Sequence, residues 1–534
     1  MKPNILKGIT ILAFVLFYLI GALFIDSQTA SADSQVRPNI ILIMTDDMGY
    51  SDLGCYGGEI ETPNLDRLAS AGLRFTQFYN TGRCCPTRAS LLTGLYPHQA
   101  GMGHMTGDRG PAHPGYRGRI MPRAVTVAEV LGPAGYHCFV TGKWHVGAKE
   151  QSWWPLQRGF DRFLGVPQGG GFFFKIAAIN GMRQIVRDNE VIFDKENDTP
   201  DGWYATDAWT TGGLEFVNEA VEQEKPFFWY LPYNAPHWPL QALEEDIQKY
   251  RGEYLGGWDE IRRRRYKKQI ELGLIDPQWK LSPRAEKIPA WETLSDEEKD
   301  LQDLRMATYA AMIDRVDQNV GRIVAELTRL GQLDNTILMF LQDNGGCAEG
   351  GVLGSDRKGK RCGTPMSYSK YGECWANVSD TPFRRYKHWV HEGGISTPLV
   401  VHWPAGIEES IRGELIDTPS HLIDLMATCV DLSGAKYPNR YADNKILPLE
   451  GRSLQPIFKG ETLDADRPIY FEHEGNRGVR QGKWKLVAVR DKAWELYDMD
   501  ADRSELNDLS GSMPEKLGEM IEMYKAWTER CMVE

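Results

Sequence analysis

Residues 40–47 read IILIMTDD, an apolar run that stops at two aspartates. An unbroken apolar run of this length is typical of a strand that is buried on both faces of a parallel sheet. Helical patterns separate this run from four others, at residues 138–140, 227–231, 336–341 and 399–402. Because strands alternate with helices, the sequence predicts an α/β fold whose large, mostly parallel, mixed sheet is sandwiched by helices.

The last hundred residues change in character. From about residue 440 the chain shows short strand patterns at residues 469–472, 484–489 and 494–498, followed by a helical pattern at 514–528. We therefore expect a small C-terminal α+β domain with an antiparallel sheet over residues 439–534, after a large domain over residues 38–438.

The first residues differ from both domains. Lys2 and Lys7 precede an uncharged apolar run over residues 9–25, and small residues follow at 30–32. This pattern predicts a signal peptide over residues 1–32 and export of the protein to the periplasm or outside the cell. The alternative is an uncleaved N-terminal membrane anchor. Apart from such an anchor, we expect no stable membrane insertion.

The charge of the chain argues against one class of partner. The 534 residues carry 61 Lys and Arg against 73 Asp and Glu, a formal net charge of −12. We therefore expect no nucleic-acid partner, because a polyanion would be repelled by the surface as a whole. The basic run RRRRYKK at residues 262–268 lies between acidic residues, so we interpret it as a solvated helix or loop.

Polar, ionisable residues follow four of the predicted strands directly. In open α/β sheets, ligands bind in the crevice outside the carboxyl ends of the strands. We therefore expect these residues to converge although they are far apart in the chain. They are Asp46, Asp47, Lys143, His145, His237, Asp343 and Asn344.

The types of these side chains indicate a ligand. Three carboxylates and an amide offer only oxygen ligands, which suit calcium or magnesium better than zinc. Taken alone, any one of the aspartates is equally explained as a turn or helix cap. A metal beside several cations suits a tetrahedral oxyanion, sulfate or phosphate. The candidate cations are Arg88, Lys143, His145, His237 and Lys387.

Residues 83–94, RCCPTRASLLTG, contain the pattern Cys84-x-Pro86-x-Arg88. This pattern resembles the signature of the type I sulfatases, which belong to the alkaline phosphatase superfamily. Further segments resemble other motifs of that family, in the same order along the chain. They are TGKWHVG at 141–147, NAPH at 234–237, DNGG at 343–346, TPFR at 381–384 and EGGISTP at 392–398.

The resemblance implies a mechanism. In this family the first cysteine of the signature is oxidised by a maturation enzyme to formylglycine (3-oxoalanine), which implies Cys84 here. One hydroxyl of the hydrated aldehyde attacks sulfur, and the other later expels sulfate. The implied ligands of one calcium ion, with magnesium as the alternative, are Asp46, Asp47, modified Cys84, Asp343 and Asn344.

The resemblance also implies roles for the cations. Arg88 would hold the hydrate, and Asp343 would help to activate the attacking hydroxyl. Sulfate oxygens would be bound by Lys143, His237 and Lys387. Either His237 or Lys387 would protonate the leaving alcohol, and His145 would be the base that ejects sulfate.

Several alternatives remain open from the sequence. The implied reaction is hydrolysis of an aryl sulfate or a sulfated carbohydrate. A phosphodiesterase or phosphonate monoester hydrolase of the same superfamily is the second hypothesis, and a non-catalytic sulfatase-like binding protein is the third. The loop at residues 101–118 and the segment at 472–476 are candidates for reading the alcohol part of the substrate, with ordinary loop packing as the alternative.

Cys85 departs from the signature by placing a second thiol beside Cys84. The chain has nine cysteines, so at least one is outside any intramolecular disulfide. A disulfide between Cys84 and Cys85 is disfavoured, because adjacent cysteines bridge only with strained geometry.

Overall fold

A computed structural model describes residues 37–174, 183–195 and 199–534. The predicted signal peptide at residues 1–32 lies outside these ranges. Among the residues described, no helix combines the length and the apolar character that crossing a membrane requires.

The strands of the described ranges are spread along the whole chain. They are β1 Asn39–Thr45, β2 Leu73–Tyr79, β3 His137–Lys143, β4 Arg162–Val166, β5 Ile185–Arg187, β6 Glu190–Phe193, β7 Phe227–Pro232, β8 Thr336–Gln342, β9 Ser396–His402, β10 Leu415–Ile416, β11 Ser420–His421, β12 Arg440–Tyr441, β13 Asn444–Lys445, β14 Ile469–His473, β15 Asn476–Gln481, β16 Trp484–Ala488 and β17 Glu495–Asp498.

The α-helices of the same ranges connect these strands. They are α1 Pro63–Ser70, α2 Cys84–Thr93, α3 Pro97–Ala100, α4 Val127–Leu131, α5 Ala205–Glu222, α6 Glu244–Tyr250, α7 Trp258–Glu271, α8 Asp296–Arg329, α9 Gly372–Ser379, α10 Glu392–Ile395, α11 Ile423–Ser433, α12 Gln455–Phe458 and α13 Pro514–Cys531.

One large sheet organises the molecule. Its strand order is β10–β2–β9–β8–β1–β7–β3–β4–β5–β6, with β11 beside β2. The central strands β8, β1, β7, β3 and β4 are parallel, whereas β9 runs antiparallel to β8 and β2, and β5 runs antiparallel to β4. The predicted fold class, a mostly parallel mixed sheet between helices, is confirmed.

The first strand shows why the apolar run had to be continuous. Side chains alternate between the two faces of a strand. Ile41 and Ile43 of β1 belong to one hydrophobic core, which also contains buried side chains of α5 and α8. Ile40, Leu42 and Met44 belong to a second core, which α2 and α11 cover on the other face. Helices therefore cover both faces of the sheet, and every position of β1 is buried.

A four-stranded antiparallel sheet, β14–β15–β16–β17, forms the C-terminal part. Helix α13 packs on it, and the rings of Tyr470 and Trp527 are stacked with centroids 5.1 Å apart. Residues Pro38–Glu534 form one compact unit. The antiparallel sheet agrees with expectation, whereas the boundary placed between residues 438 and 439 stays a prediction.

The structure corrects our interpretation of the basic run at residues 262–268 as a solvated segment. It lies on α7, and Arg262 and Arg265 are buried rather than solvated. The Arg265 guanidinium lies 2.6 Å from an Asp52 oxygen and 2.7 Å from a Glu59 oxygen. Spacing explains the difference, because residues three apart share one helix face and this face packs on the core. Arg263 and Arg264 on the other face are exposed, as predicted.

Candidate active site

The parallel centre of the sheet assembles the predicted residues. Strands β8, β1, β7 and β3 are neighbours in that order, and each is followed by polar residues at its carboxyl end. The resulting site is buried at one edge of the sheet. The structure places there Asp46 and Asp47 after β1, Lys143 and His145 at the end of β3, His237 after β7, and Asp343 and Asn344 after β8.

Cys84 is the first residue of helix α2. Its Sγ atom lies 3.6 Å from Nδ1 of His145, and its side chain lines a cavity. Cys84 and Cys85 both belong to the hydrophobic core on this side of the sheet, but of the two only Cys84 lines the cavity. All nine cysteines are among the described residues and all are free thiols, so Cys84 and Cys85 form no disulfide.

Two lysines and a histidine contact the first two aspartates. Lys143 forms an ion pair with Asp46. The Nζ atom of Lys387 lies 2.6 Å from Oδ1 of Asp47, and Nε2 of His237 lies 3.4 Å from Oδ2 of the same residue. Buried carboxylates are costly without such partners. The predicted cations and carboxylates therefore compensate each other within one cluster.

Arg88 projects from the first turns of α2 into the same cluster. Its Nε and Nη2 atoms donate to Oδ2 of Asp343 at 3.2 and 2.7 Å, and its Nη1 donates to the carbonyl of Lys143 at 3.0 Å. The guanidinium is fully buried. Its planar fork therefore fixes the Asp343 carboxylate relative to the end of β3.

Several buried oxygen atoms of the cluster lack hydrogen-bond partners among the described residues, and their positions indicate whether a metal ion fits here. Oδ1 of Asp46, Oδ2 of Asp47 and Oδ1 of Asn344 are buried and have no hydrogen-bond partner in the described part of the chain. Buried polar atoms are usually satisfied, so these oxygens at neighbouring strand ends are available to a shared cation, although Nε2 of His237 lies 3.4 Å from Oδ2 of Asp47. Carboxylate and amide oxygens are the donors that calcium and magnesium take. The residues present fit a hard divalent cation.

Charge and burial shift several pKa values in this cluster. Burial raises the pKa of Asp47, but the charges of His237 and Lys387 outweigh burial and hold that pKa well below its usual value. Burial and the neighbouring Asp46 raise the pKa of Asp343, against the opposing charge of Arg88. Burial and the charge of Lys143 lower the pKa of His145 to about 4.

A cavity of about 220 Å³ opens above Cys84, His145, His237 and Lys387. Its walls add residues that the sequence did not predict. Arg83 and Trp238 are next in the sequence to the predicted site residues Cys84 and His237, and this adjacency could have identified them. The other three come from distant loops, and no sequence pattern indicated them. The unpredicted wall residues include Arg83, Arg183, Trp238, Glu349 and Tyr368.

Backbone geometry at the cavity floor is unusual. Asp47 and His145 both have positive φ, 68° and 60°. Such strain in non-glycine residues clusters at functional sites. Gly169 has no room for a side chain, because a Cβ atom there would lie 2.1 Å from the His145 ring. The glycine therefore lets the imidazole reach the thiol.

The two segments considered for reading the substrate lie mostly elsewhere. Met105 of the 101–118 loop lines the cavity above Cys84. His104, Glu472 and Glu474 line a second pocket of about 510 Å³ instead. Arg109 of the loop also lines the second pocket, and His113 binds Glu534 in its wall, whereas Arg117 pairs with Asp108.

A comparison with protein families identifies the chain. The sulfatase family model matches residues 38–435, well over half of the chain. The chain belongs to the sulfatase family. It is therefore a sulfuric ester hydrolase, and its family implies a metal ion and formylglycine in general. A second family model, that of the C-terminal part of N-sulphoglucosamine sulphohydrolase, matches residues 384–526.

Individual relatives agree with this assignment. This sulfatase is 34% identical to an arylsulfatase of Klebsiella aerogenes over 80% of its own length and 93% of the relative's. It is 32% identical to an uncharacterized sulfatase of Schizosaccharomyces pombe, over 91% of this chain and 93% of that one. A crystal structure of Ps i-CgsB in complex with k-i-k-neocarrahexaose superimposes with a TM-score of 0.66, at 28% identity, covering 92% of this chain and 93% of that chain.

Proposed function

We propose that this sulfatase hydrolyses sulfate esters of aryl or carbohydrate alcohols, with Cys84 converted to formylglycine and one calcium ion at the strand ends. The observation that carries the proposal is the position of the Cys84 thiol. It lies at the cavity floor, 3.6 Å from the His145 ring, beside a cluster of buried carboxylates and cations. A thiol that will become the reacting group needs this access, which Cys85 lacks.

Five residues would hold the cation: Asp46, Asp47, Asp343, Asn344 and the modified Cys84. Three orphan oxygens among them support an ion with several protein oxygen ligands. Calcium takes six to eight oxygens in flexible geometry, whereas magnesium keeps several waters and few carboxylates. We therefore favour calcium. When present, the hydrated aldehyde supplies the nucleophilic hydroxyl and the cation lowers its pKa.

The side chains around the thiol would bind the sulfate group. Lys143 forms an ion pair with Asp46, whereas His237 and Lys387 contact Asp47 and also line the cavity. Fixed cations in a buried site stabilise charge that develops on an oxyanion, because no solvent has to reorganise. These three residues are therefore the proposed sulfate-binding groups.

Proton transfer needs one donor and one acceptor. His237 and Lys387 both line the cavity, and either can give a proton to the departing alcohol oxygen. His145 faces the thiol position through Nδ1, which places it to take a proton from the modified residue when sulfate leaves. Arg88 would hold the hydrate, as the family resemblance implies, and it also fixes the Asp343 carboxylate.

The remaining residues that line the cavity indicate which kind of alcohol the sulfate ester contains. Trp238 and Tyr368 line the cavity with aromatic rings whose centroids are 5.3 Å apart, and Arg183 adds a cation. The Lys370 ammonium lies 3.8 Å over one face of the Trp238 ring, which leaves the other face for a substrate. Aromatic faces suit an aryl ring and the apolar face of a sugar equally well. Together with the predicted export of the chain, this supports a sulfated small molecule or glycan as substrate. Activation would require a maturation enzyme in the export pathway.

Mass spectrometry of the peptide that contains Cys84 tests the proposal, on protein from the native host. We expect loss of sulfur and gain of an aldehyde at Cys84, with the Cys85 thiol intact. Cys84→Ala is expected to lower kcat for an aryl sulfate by at least about a thousandfold, because the nucleophile is lost. The control variant Cys85→Ala is expected to keep the modification and most of the activity.

Substrate comparison addresses the two remaining alternatives. An aryl sulfate should react with higher kcat/KM than the matching aryl phosphodiester or phosphonate monoester. The reverse order would favour the phosphodiesterase or phosphonate hydrolase hypothesis. Full conversion of Cys84 without turnover of any of the three esters would favour a binding protein.

A further inference from the structure

Two histidines and one glutamate meet at a point that the sulfatase chemistry does not use, and a third histidine contacts the same glutamate. Nε2 of His104 lies 2.9 Å from Oε1 of Glu474, and Nδ1 of His388 lies 3.1 Å from Oε2 of Glu474. Nε2 of His473 lies 3.7 Å from Oε1 of the same carboxylate. The ligand-type atoms of His388, His473 and Glu474 are all within 4.8 Å of one another.

These separations resemble the edges of a metal coordination shell. Zinc binds imidazole nitrogen and carboxylate oxygen at about 2.0–2.2 Å in a tetrahedron, which puts neighbouring ligand atoms about 3.3–3.5 Å apart. The contacts to Glu474 span 2.9 to 3.7 Å, and the ligand atoms of His388, His473 and Glu474 are already close enough to share an ion after side-chain adjustment. His104 contacts Glu474 but lies outside that group, so its side chain has to move further. Imidazole with carboxylate is a ligand set for zinc-like transition metals rather than for calcium.

His473 supplies an independent observation. Its side chain is fully buried, and neither ring nitrogen has a hydrogen-bond partner within residues 37–174, 183–195 and 199–534. A buried imidazole that faces a carboxylate and has two unsatisfied nitrogens is a ready metal ligand, because a metal ion supplies the missing partner.

We propose that His388, His473 and Glu474, with His104 as the fourth ligand, bind one divalent transition metal ion of the zinc class. The site is separate from the strand-end oxygens and does not depend on the proposed hydrolysis mechanism. Four protein ligands leave no open position, so the ion would be structural rather than catalytic.

The ligands come from three segments around the catalytic cavity. His388 follows Lys387, His104 precedes Met105, and both of those neighbours line the cavity. Glu474 lies in the turn between β14 and β15 of the C-terminal sheet. A shared ion would therefore hold the Lys387 segment and a wall of the cavity against the C-terminal sheet.

A competing explanation needs no metal. Glu474 can accept hydrogen bonds from ring N–H groups of His104 and His388, and the His388 hydrogen bond is the largest cause that holds the pKa of Glu474 at about 2. The Asn476 amide lies 3.3 Å from Nε2 of His388, which favours a proton on Nδ1 toward Glu474. Metal binding must displace that proton, so uptake of the ion should release protons and weaken at low pH.

Cobalt substitution of the full-length protein tests the proposal. The protein is stripped with a chelator, refilled with excess calcium to occupy oxygen sites, and titrated with Co²⁺ alone. We expect the protein to bind one equivalent of Co²⁺ and the bound ion to show the intense visible d–d absorption of tetrahedral nitrogen and oxygen coordination. The same preparation should show a higher Tm with one equivalent of Zn²⁺.

Variants make the result specific. Glu474→Gln keeps the shape of the turn, and His104→Gln lies on a half-exposed loop, so both should fold. We expect Glu474→Gln to abolish the tetrahedral signal and His104→Gln to weaken binding by at least about tenfold. The matched control is His113→Gln, which alters an exposed histidine of the same loop and should bind like the parent. The proposal is overturned if Glu474→Gln binds cobalt as the parent does, or if only thiolate charge-transfer bands appear.

Discussion

Lys485 places its Nζ atom 2.7 Å from Oε1 of Glu392, and both side chains are completely buried. Arg503 contacts the other oxygen of the same carboxylate, with Nε at 2.8 Å from Oε2. Glu392 begins α10, shortly after Lys387, whereas Lys485 and Arg503 belong to the C-terminal part of the chain. This ion cluster therefore joins the catalytic side of the large sheet to the small sheet.

Glu392→Gln should destabilise the protein strongly. Removing one partner of a buried ion pair leaves uncompensated charge, which costs about 3–5 kcal/mol. Here the loss leaves Arg503 without its carboxylate, while Lys485 retains Glu505 at 2.7 Å. Urea unfolding at pH 7 measures the difference in free energy of unfolding. The exposed Glu409→Gln serves as the control and should stay within about 0.5 kcal/mol of the parent.

The same cluster predicts a pH dependence. Burial raises the pKa of Glu392, but Lys485 and Arg503 outweigh burial and lower it below its ordinary value of 4.5. A depressed acid pKa stabilises the folded state at pH values above the unfolded pKa, and that stability is lost as the pH falls toward the folded pKa. The gap between parent and Glu392→Gln should therefore narrow between roughly pH 5 and pH 3. A gap of constant size over that range would contradict the assignment.

Arg88→Lys is expected to impair the enzyme although it conserves charge. A lysine cannot replace two donors to Asp343 and one to the carbonyl of Lys143 with a single ammonium group. We expect kcat/KM for an aryl sulfate to fall by about 100-fold and calcium affinity to fall by about tenfold, because Asp343 loses its orientation. Steady-state kinetics and calcium titration measure the two effects. The control Arg187→Lys changes an arginine at the sheet edge, and equal losses in both variants would refute a specific role.

Calcium removal should inactivate the enzyme and destabilise it together. The orphan oxygens of Asp46, Asp47 and Asn344 lose their shared ligand, so their mutual repulsion and desolvation are no longer offset. Restoring calcium to about 100 times its Kd should recover about 2.7 kcal/mol of unfolding free energy. Magnesium should restore less activity at equal concentration. Full recovery of activity with Zn²⁺ alone would contradict an oxygen-ligand calcium site, whereas a rise in Tm with Zn²⁺ would not, because the histidine site is expected to bind that ion.

The strand ends explain how much of this arrangement was predictable. The apolar run at residues 40–44 predicted the central strand β1. Residues that follow parallel strands lie at the same edge of the sheet, so their convergence was predictable as well. Arg183 and Tyr368 reach the cavity from loops that have no periodic pattern, so the local sequence did not predict their place in the site. The cluster at Glu474 was equally hidden, because His104, His388 and His473 meet only through tertiary packing.

Arg183 should determine which sulfate esters react well. Its guanidinium lines the cavity beside Gly170 and has no carboxylate partner in the described ranges, while burial lowers its pKa. A substrate with a second anionic group, such as a carboxylate or another sulfate, can supply that partner. A hydrogen bond to a charged group contributes about 1.5–3 kcal/mol, so Arg183→Ala should raise KM for such substrates by about 10–100-fold. The KM for an aryl sulfate without a second anionic group should change by no more than about twofold, since this substrate makes no such bond.

Paired kinetics on one monoanionic and one dianionic sulfate ester, with Arg187→Ala as the control, measure the difference. An equal rise in KM for both esters would show that Arg183 supports the cavity wall instead of binding the second anionic group of the substrate.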